Sequence, residues 1–233
     1  MLQQLREAQD RWQIQHFYVG FSGGVDSTAL LRGCVAVLPE LQPDTQLTAL
    51  HVNHGLHPQA DVWAAHCRRI CDELSVVLQT GEVTLPREGN MEANARQARY
   101  DYFTQHVGRN SCLLLGHHQD DQVETLLQRL FSGRGWLPMQ TSAVLGEGYL
   151  LRPLLKCTRT QMQEYVTGQQ LAWVEDTSNT DRHLQRNFLR HEVVPLLQQR
   201  WPSLAQSLQR VANQSRATEA ALQNALIPLG NRV

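Results

Sequence analysis

The run Ser22-Gly23-Gly24-Val25-Asp26-Ser27 combines residue types suited to one task. Glycines let backbone N–H groups approach an anion closely. A helix that starts there adds partial positive charge at its N-terminus. Ser22 and Ser27 supply hydroxyls, and Asp26 can hold Mg²⁺ against phosphates. A tight turn with an aspartate cap explains a lone Ser-Gly-Gly as well. The whole hexapeptide, placed between an apolar strand and an apolar helix, favours phosphate. It is not a Walker loop, because no Gly-Lys-Ser/Thr is present.

A second group spans Gly116-His117-His118-Gln119-Asp120-Asp121-Gln122-Val123-Glu124-Thr125. His117 and His118 are suited to donating to phosphate or moving protons. Asp121 and Glu124 stand three apart and share one helix face, where they can hold Mg²⁺ or an ammonium group. Asp120 reads as a helix cap. A capped helix with solvated acids would explain this stretch taken alone. His54, in Asn53-His54-Gly55, is a candidate contact to nucleotide or substrate, or simply a turn histidine. Arg96 and Arg99 lie one helical turn apart, placed to meet phosphate together or to pair with Glu92 and Asp101. From Asp181 to Arg216 there are six arginines against Asp181 and Glu192. This basic stretch, with Arg186 and Arg190 in it, reads as a nucleic-acid backbone contact or as an exposed helical face.

The elements that must carry these residues alternate. Apolar strands are expected at His16–Phe21, Leu47–Val52, from Ser75, at Ser111–Gly116 and near Tyr149–Arg152. Helical patterns run over about 26–38, 58–74, 91–107, 120–131 and 158–170, and beyond Asn187. The β-α alternation predicts an α/β fold: an open parallel sheet with helices on both faces, followed by a helical C-terminal segment. The candidate residues then fall at the C-terminal ends of strands, where such sheets bind ligands. The expected division is residues 1–190 and a helical segment 191–233.

Composition narrows the classes. Of 233 residues, 42% are hydrophobic and 18% charged, which argues against disorder. Net charge is -1, so a polyanion must be met by a local patch. Lys156 is the single lysine among the basic residues. None of the five cysteines forms a CxxC pair, and they read as small core residues. The opening residues are polar, and no apolar run approaches the roughly 20 residues of a membrane span. A reducing, cytoplasmic setting is expected, with no membrane and no protein partner evident.

Ser22–Ser27 resembles the signature of the N-type ATP pyrophosphatases, or PP-loop synthetases, with their adenine nucleotide α-hydrolase-like fold. Within that group the chain is similar to the tRNA(Ile)-lysidine synthetase family over roughly residues 17–202. The matching motifs are His51-Val52-Asn53-His54-Gly55-Leu56, Glu92-Ala93-Asn94-Ala95-Arg96 with Arg99-Tyr100, the His117–Thr125 run, and Arg152-Pro153-Leu154. Further on they are Asp176-Thr177-Ser178-Asn179 with Asp181, Arg186-Asn187 and Arg190.

The resemblance implies ATP and Mg²⁺ as cofactors, and tRNA(Ile) with a CAU anticodon and free L-lysine as partners. It implies adenylation of the first anticodon cytidine, then attack by lysine to form lysidine. Asp26, His117, His118, Asp121 and Glu124 would be catalytic. Ser22, Gly23, Gly24, Val25, Asp26, Ser27 and His54 would hold the nucleotide. Arg96, Arg99, Arg152, Asn179, Arg186, Asn187 and Arg190 would meet the tRNA. Asp26 would hold Mg²⁺, with Asp121 as a second carboxylate for it. The chain departs from the family in a compressed Gly133–Met139 loop and in His57, where arginine is usual. The family's further C-terminal domains are expected to be missing or reduced to their first helices. A thiolating relative, a small-molecule amidotransferase synthetase and a non-catalytic nucleotide binder are the alternatives. The first normally needs paired cysteines, and the second an N-terminal cysteine glutaminase.

Overall fold

A computed structural model describes residues 1–55, 58–83, 91–175, 182 and 184–230. In chain order the elements are α1 (Leu2–Trp12), β1 (His16–Gly20), α2 (Val25–Val37), β2 (Gln46–Asn53), α3 (Ala60–Glu73), β3 (Val77–Glu82), α4 (Met91–His106) and β4 (Ser111–Leu114). Then follow α5 (Gln119–Phe131), β5 (Ser142–Leu145), β6 (Gly148–Leu151), α6 (Arg159–Gly168), α7 (Gln185–Phe188), α8 (Val194–Arg200) and α9 (Leu204–Gly230). The backbone groups into two compact units, residues 1–118 with 141–176, and residues 119–140 with 177–233.

The first unit holds a six-stranded sheet in the order β3-β2-β1-β4-β6-β5. All neighbours are parallel except β5 and β6. Alternation along the strands splits the apolar residues between two cores. Phe17, Val19, Cys112 and Leu114 face one, with Leu30 and Leu31 of α2 and Cys67 and Ile70 of α3. Leu50, Leu113, Leu115 and Leu150 face the other, with Phe103 of α4. Two buried faces explain why β4 has no polar alternation. Burial pushes the thiols of Cys34, Cys67 and Cys71 up to about 12, as befits inert core residues.

Two elements depart from the expected pattern. The polar opening is a helix, α1, whose Leu5 and Ala8 are buried. Its buried Gln9 is satisfied by Thr45 Oγ1 at 2.8 Å. The expected strand near Tyr149 is the second arm of an antiparallel hairpin, turning at Gly146 with φ 58°. Its first arm, β5, is an edge strand whose Val144 is 75% exposed, so its hydrophobic signal is weak.

The second unit is helical among its described residues. Val123 and Leu127 of α5 pack with Leu189 and Val194. A π-helical turn, Leu189–Val193, joins α7 to α8 just before Pro195. Asp120 lies inside the first turn of α5 rather than capping it, where its charge still complements the helix dipole. No helix of the described residues is long and apolar enough to cross a membrane.

Candidate functional site

The phosphate loop leaves β1 and enters α2 with Gly24 as its N-cap. Gly23 has φ +80°, and a Cβ there would lie 2.9 Å from Cys67 Sγ, so only glycine fits. Ser27 Oγ accepts from the Ser22 N–H at 3.2 Å and donates to the Gly24 carbonyl at 3.0 Å. The Ser22 and Ser27 hydroxyls are 3.1 Å apart. The Val174 N–H donates to the Gly23 carbonyl at 2.9 Å. The loop is thereby preshaped. Val25 turns its side chain into the core, so its contribution to a ligand is its backbone. Gly116 allows the exit of β4 to touch the start of α2, since a Cβ there would meet the Asp26 carbonyl at 2.9 Å.

Asp26 sits at this junction. Its Oδ2 is 3.6 Å from Nε2 of His118, a histidine with 0% exposure. Its Oδ1 is buried with no hydrogen-bond partner among the described residues. A carboxylate oxygen left so beside a phosphate loop fits a cation. Among the described residues no group of three or more His, Cys, Asp or Glu could hold a metal by itself. Mg²⁺ is usually held by one or two carboxylates, with phosphate oxygens and water completing its shell, and Asp26 suits that role.

His51 and His54 lie at the end of β2. His51 donates from Nδ1 to the Phe21 carbonyl at 2.9 Å, which pins the residue before the loop. Burial lowers the pKa of both; nearby Arg99, then His51, lowers that of His54 further. His54 Nδ1 is buried without a partner among the described residues. Arg99 is thus placed beside His54. Arg96 instead folds onto Tyr100 of its own helix, 4.8 Å over the ring. Asp101 takes its hydrogen bond from Gln97 at 2.8 Å.

Arg152, expected on tRNA, is buried and donates from Nε to His117 Nδ1 at 3.2 Å. A guanidinium has no acceptor, so Nδ1 carries the lone pair and His117 presents Nε2–H.

In the second unit, Asp121 and Glu124 are buried rather than solvated. Arg186 Nε donates to Glu124 Oε2 at 2.7 Å, and its Nη2 to Asp121 Oδ1. Arg190 Nε donates to Glu124 Oε1 at 2.6 Å and its Nη2 to Oε2 at 3.0 Å, a two-pronged pair. Its Nη2 also reaches Asp121 Oδ1 at 3.3 Å. Residues expected to serve lysine and residues expected to serve tRNA are thus brought together. Other arginines of the basic stretch are also engaged. Arg182 pairs with Glu192, and Arg216 donates to the Pro138 carbonyl at 3.2 Å. Asn187 is buried beside them in the chain. The compressed loop is tied at its end by Gln122, which exchanges two hydrogen bonds with the Met139 backbone at 3.0 and 2.8 Å. Asn179, with residues 176–178, Asp181, Leu56 and His57, lies outside the described residues.

Two residues near the loop carry no signal in the motifs. His66 and Arg69 of α3 stand one helical turn apart, with Arg69 Nη2 3.2 Å from His66 Nδ1. In the sequence they show only as a basic pair at one-turn spacing.

A family model described as the PP-loop domain matches residues 1–197. The chain is 47% identical over 199 residues to a Pseudomonas putida protein named tRNA(Ile)-lysidine synthase, covering 84% of this chain and 46% of that one. It is 42% identical over 214 residues to a Legionella pneumophila protein of the same name, covering 91% and 49%. The chain therefore spans about half the length of the curated relatives it matches. Among solved structures it is similar to the U34-tRNA thiolase NcsA from Methanococcus maripaludis with its [4Fe-4S] cluster. The TM-score is 0.72 at 14% identity, covering 91% of this chain and 77% of that one. NMN synthetase from Francisella tularensis gives 0.53 at 14% identity, covering 81% and 82%. At such identities these two structures speak to the fold alone.

Proposed function

This chain belongs to the PP-loop domain family, and on that premise we propose that it is the ATP-using part of a tRNA(Ile)-lysidine synthase. The observation that carries the reading is the identity of 42–47% to proteins of that name over 84–91% of this chain. The preshaped Ser22–Ser27 cradle supports it, since adenylation needs a triphosphate held still while its α-phosphorus is attacked. Four of the five cysteines are buried in the core, which weighs against a thiolating relative that must expose thiolates.

In this reading ATP lies with its phosphates on the backbone N–H groups of Gly23, Gly24 and Val25, at the N-terminus of α2. Asp26, positioned by His118, would hold Mg²⁺, which neutralises the triphosphate when bound. The cytidine carbonyl oxygen attacks the α-phosphorus and pyrophosphate leaves. His117 offers Nε2–H to a phosphate oxygen, and the loop N–H groups receive the developing charge. The ε-amine of L-lysine, having given a proton to Asp121 or Glu124, then attacks the activated ring carbon. The bond to the AMP oxygen breaks and AMP departs. Asp121 and Glu124 seat that amine, and Arg186 and Arg190 balance their charge. Arg99 and His54 serve the nucleotide side. The target base is reached in a single-stranded loop, where unstacking costs little. We place the reaction in the cytoplasm, with tRNA and ATP.

The test is incubation of the protein with tRNA(Ile) bearing a CAU anticodon, ATP, Mg²⁺ and L-lysine, followed by nucleoside mass analysis. Lysine attached to the anticodon cytidine is expected. Pyrophosphate release with no lysine uptake would move the reading to another PP-loop ligase. No pyrophosphate release at all would leave a nucleotide binder.

A further inference from the structure

We infer that His66 is a further nucleotide-contacting residue, whose Nε2–H donates to a phosphate oxygen of the ATP held by the Ser22–Ser27 loop. The inference rests on the nucleotide reading above and adds a residue that reading does not contain.

The ring of His66 lies against the loop. A Cβ built on Gly23 would meet His66 Cδ2 at 3.2 Å, beside Cys67 Sγ at 2.9 Å and Val174 Cγ2 at 3.2 Å. Cδ2 is bonded to Nε2, so the Cδ2–Nε2 edge of the ring is the one next to the loop. The other nitrogen is taken. Arg69 Nη2 is 3.2 Å from Nδ1, and a guanidinium can only donate. Nδ1 therefore holds the lone pair, and the proton sits on Nε2.

That Nε2 is buried and has no hydrogen-bond partner among the described residues. Proteins retain few buried donors without acceptors, because such a donor has lost its water and gained nothing. Burial, and after it the Arg69 charge, lowers the His66 pKa, with Glu73 opposing. The imidazole is accordingly neutral near pH 7, in keeping with one donor and one acceptor nitrogen. A fixed N–H beside a loop of backbone N–H groups complements a ligand that offers only lone pairs. Phosphate oxygens are such a ligand. A packing role alone would be served as well by an apolar ring, which would leave no donor stranded.

The experiment compares His66→Phe, which keeps a ring without the donor, and His66→Gln, whose amide places an N–H near the Nε2 position. Calorimetry with Mg²⁺ measures affinity for ATP, inorganic pyrophosphate and adenosine, and the unliganded melting temperature is recorded in parallel. For His66→Phe we expect about tenfold weaker binding of both ATP and pyrophosphate, the loss of roughly one hydrogen bond to a charged acceptor. Adenosine binding and the unliganded melting temperature should hold or, for the latter, rise. His66→Gln should bind ATP within about threefold of wild type. Wild-type ATP affinity in His66→Phe overturns the inference. So does a fall in melting temperature without a fall in ATP affinity, which marks a packing role. Loss of ATP binding with pyrophosphate binding intact moves the contact to the base or ribose and overturns the phosphate assignment. If wild type binds neither ATP nor pyrophosphate, the nucleotide reading has failed first.

Discussion

Arg152 donates from Nε to Nδ1 of His117 across 3.2 Å, and the two residues are 35 apart in the chain. The contact fixes which nitrogen of His117 carries the proton, and so makes it a donor rather than a base at the end of β4. It also removes Arg152 from the surface, since that side chain is 8% exposed.

Arg152→Met is therefore expected to free the His117 ring without touching the phosphate loop. Pyrophosphate release should slow by about tenfold or more, on the scale of losing one aligned donor. ATP affinity should change little. Stopped-time pyrophosphate assays beside ATP titrations check this, and an unchanged rate would return Arg152 to a substrate-binding role.

Asp26→Ala is expected to abolish pyrophosphate release while the protein stays folded. The motivation is Oδ1, buried with no hydrogen-bond partner among the described residues; besides it the substitution gives up only the 3.6 Å approach of Oδ2 to His118 Nε2. Circular dichroism and a melting curve test the fold, and the pyrophosphate assay tests the role. Wild-type turnover would remove Asp26 from the chemistry.

Glu124→Gln leaves the half-buried guanidiniums of Arg186 and Arg190 with one charge too few opposite them. Solvent reaches both guanidiniums, so the loss should fall below the about 3–5 kcal/mol of a fully buried pair. Urea unfolding of Glu124→Gln, Arg190→Gln and the double variant should show a double-variant loss smaller than the sum of the singles, with a coupling of about 1 kcal/mol or more. Additive losses would mean that the pairing contributes nothing. At the level of turnover, the lysine step should suffer more than pyrophosphate release.

The pH dependence of stability has a definite sign. His16, His51, His54 and His66 all have pKa values lowered from 6.5, in each case chiefly by burial. The unfolded chain then binds more protons than the native one between the folded values and 6.5. Their contribution is full above about 6.5 and is lost as pH falls below it through the folded values. Urea midpoints should drop between pH 7.5 and pH 5.5, above the range where most carboxylates titrate. His51→Asn, which keeps a donor for the Phe21 carbonyl, should flatten that drop. A flat profile in wild type would show that these imidazoles take up protons as readily in the folded protein as in the unfolded chain.

The sequence by itself determined the phosphate loop and the alternating core around it. Both are written locally: Ser22–Ser27 is contiguous between a strand and a helix, and β4 shows its two buried faces as an unbroken apolar run. Local patterning missed α1, whose few apolar residues are spread along a polar helix. It missed β5, whose edge position leaves Val144 in solvent. Only the tertiary structure decided the partners of the charged groups. Asp121, Glu124, Arg186 and Arg190 read alike as solvated or ligand-bound until packing brings Arg186 to Glu124 from 62 residues away. The same holds for Arg152 on His117 and for His66 beside Gly23. A charge announces its type in the sequence, but whether water, a ligand or another side chain balances it depends on which distant segment the fold packs against it.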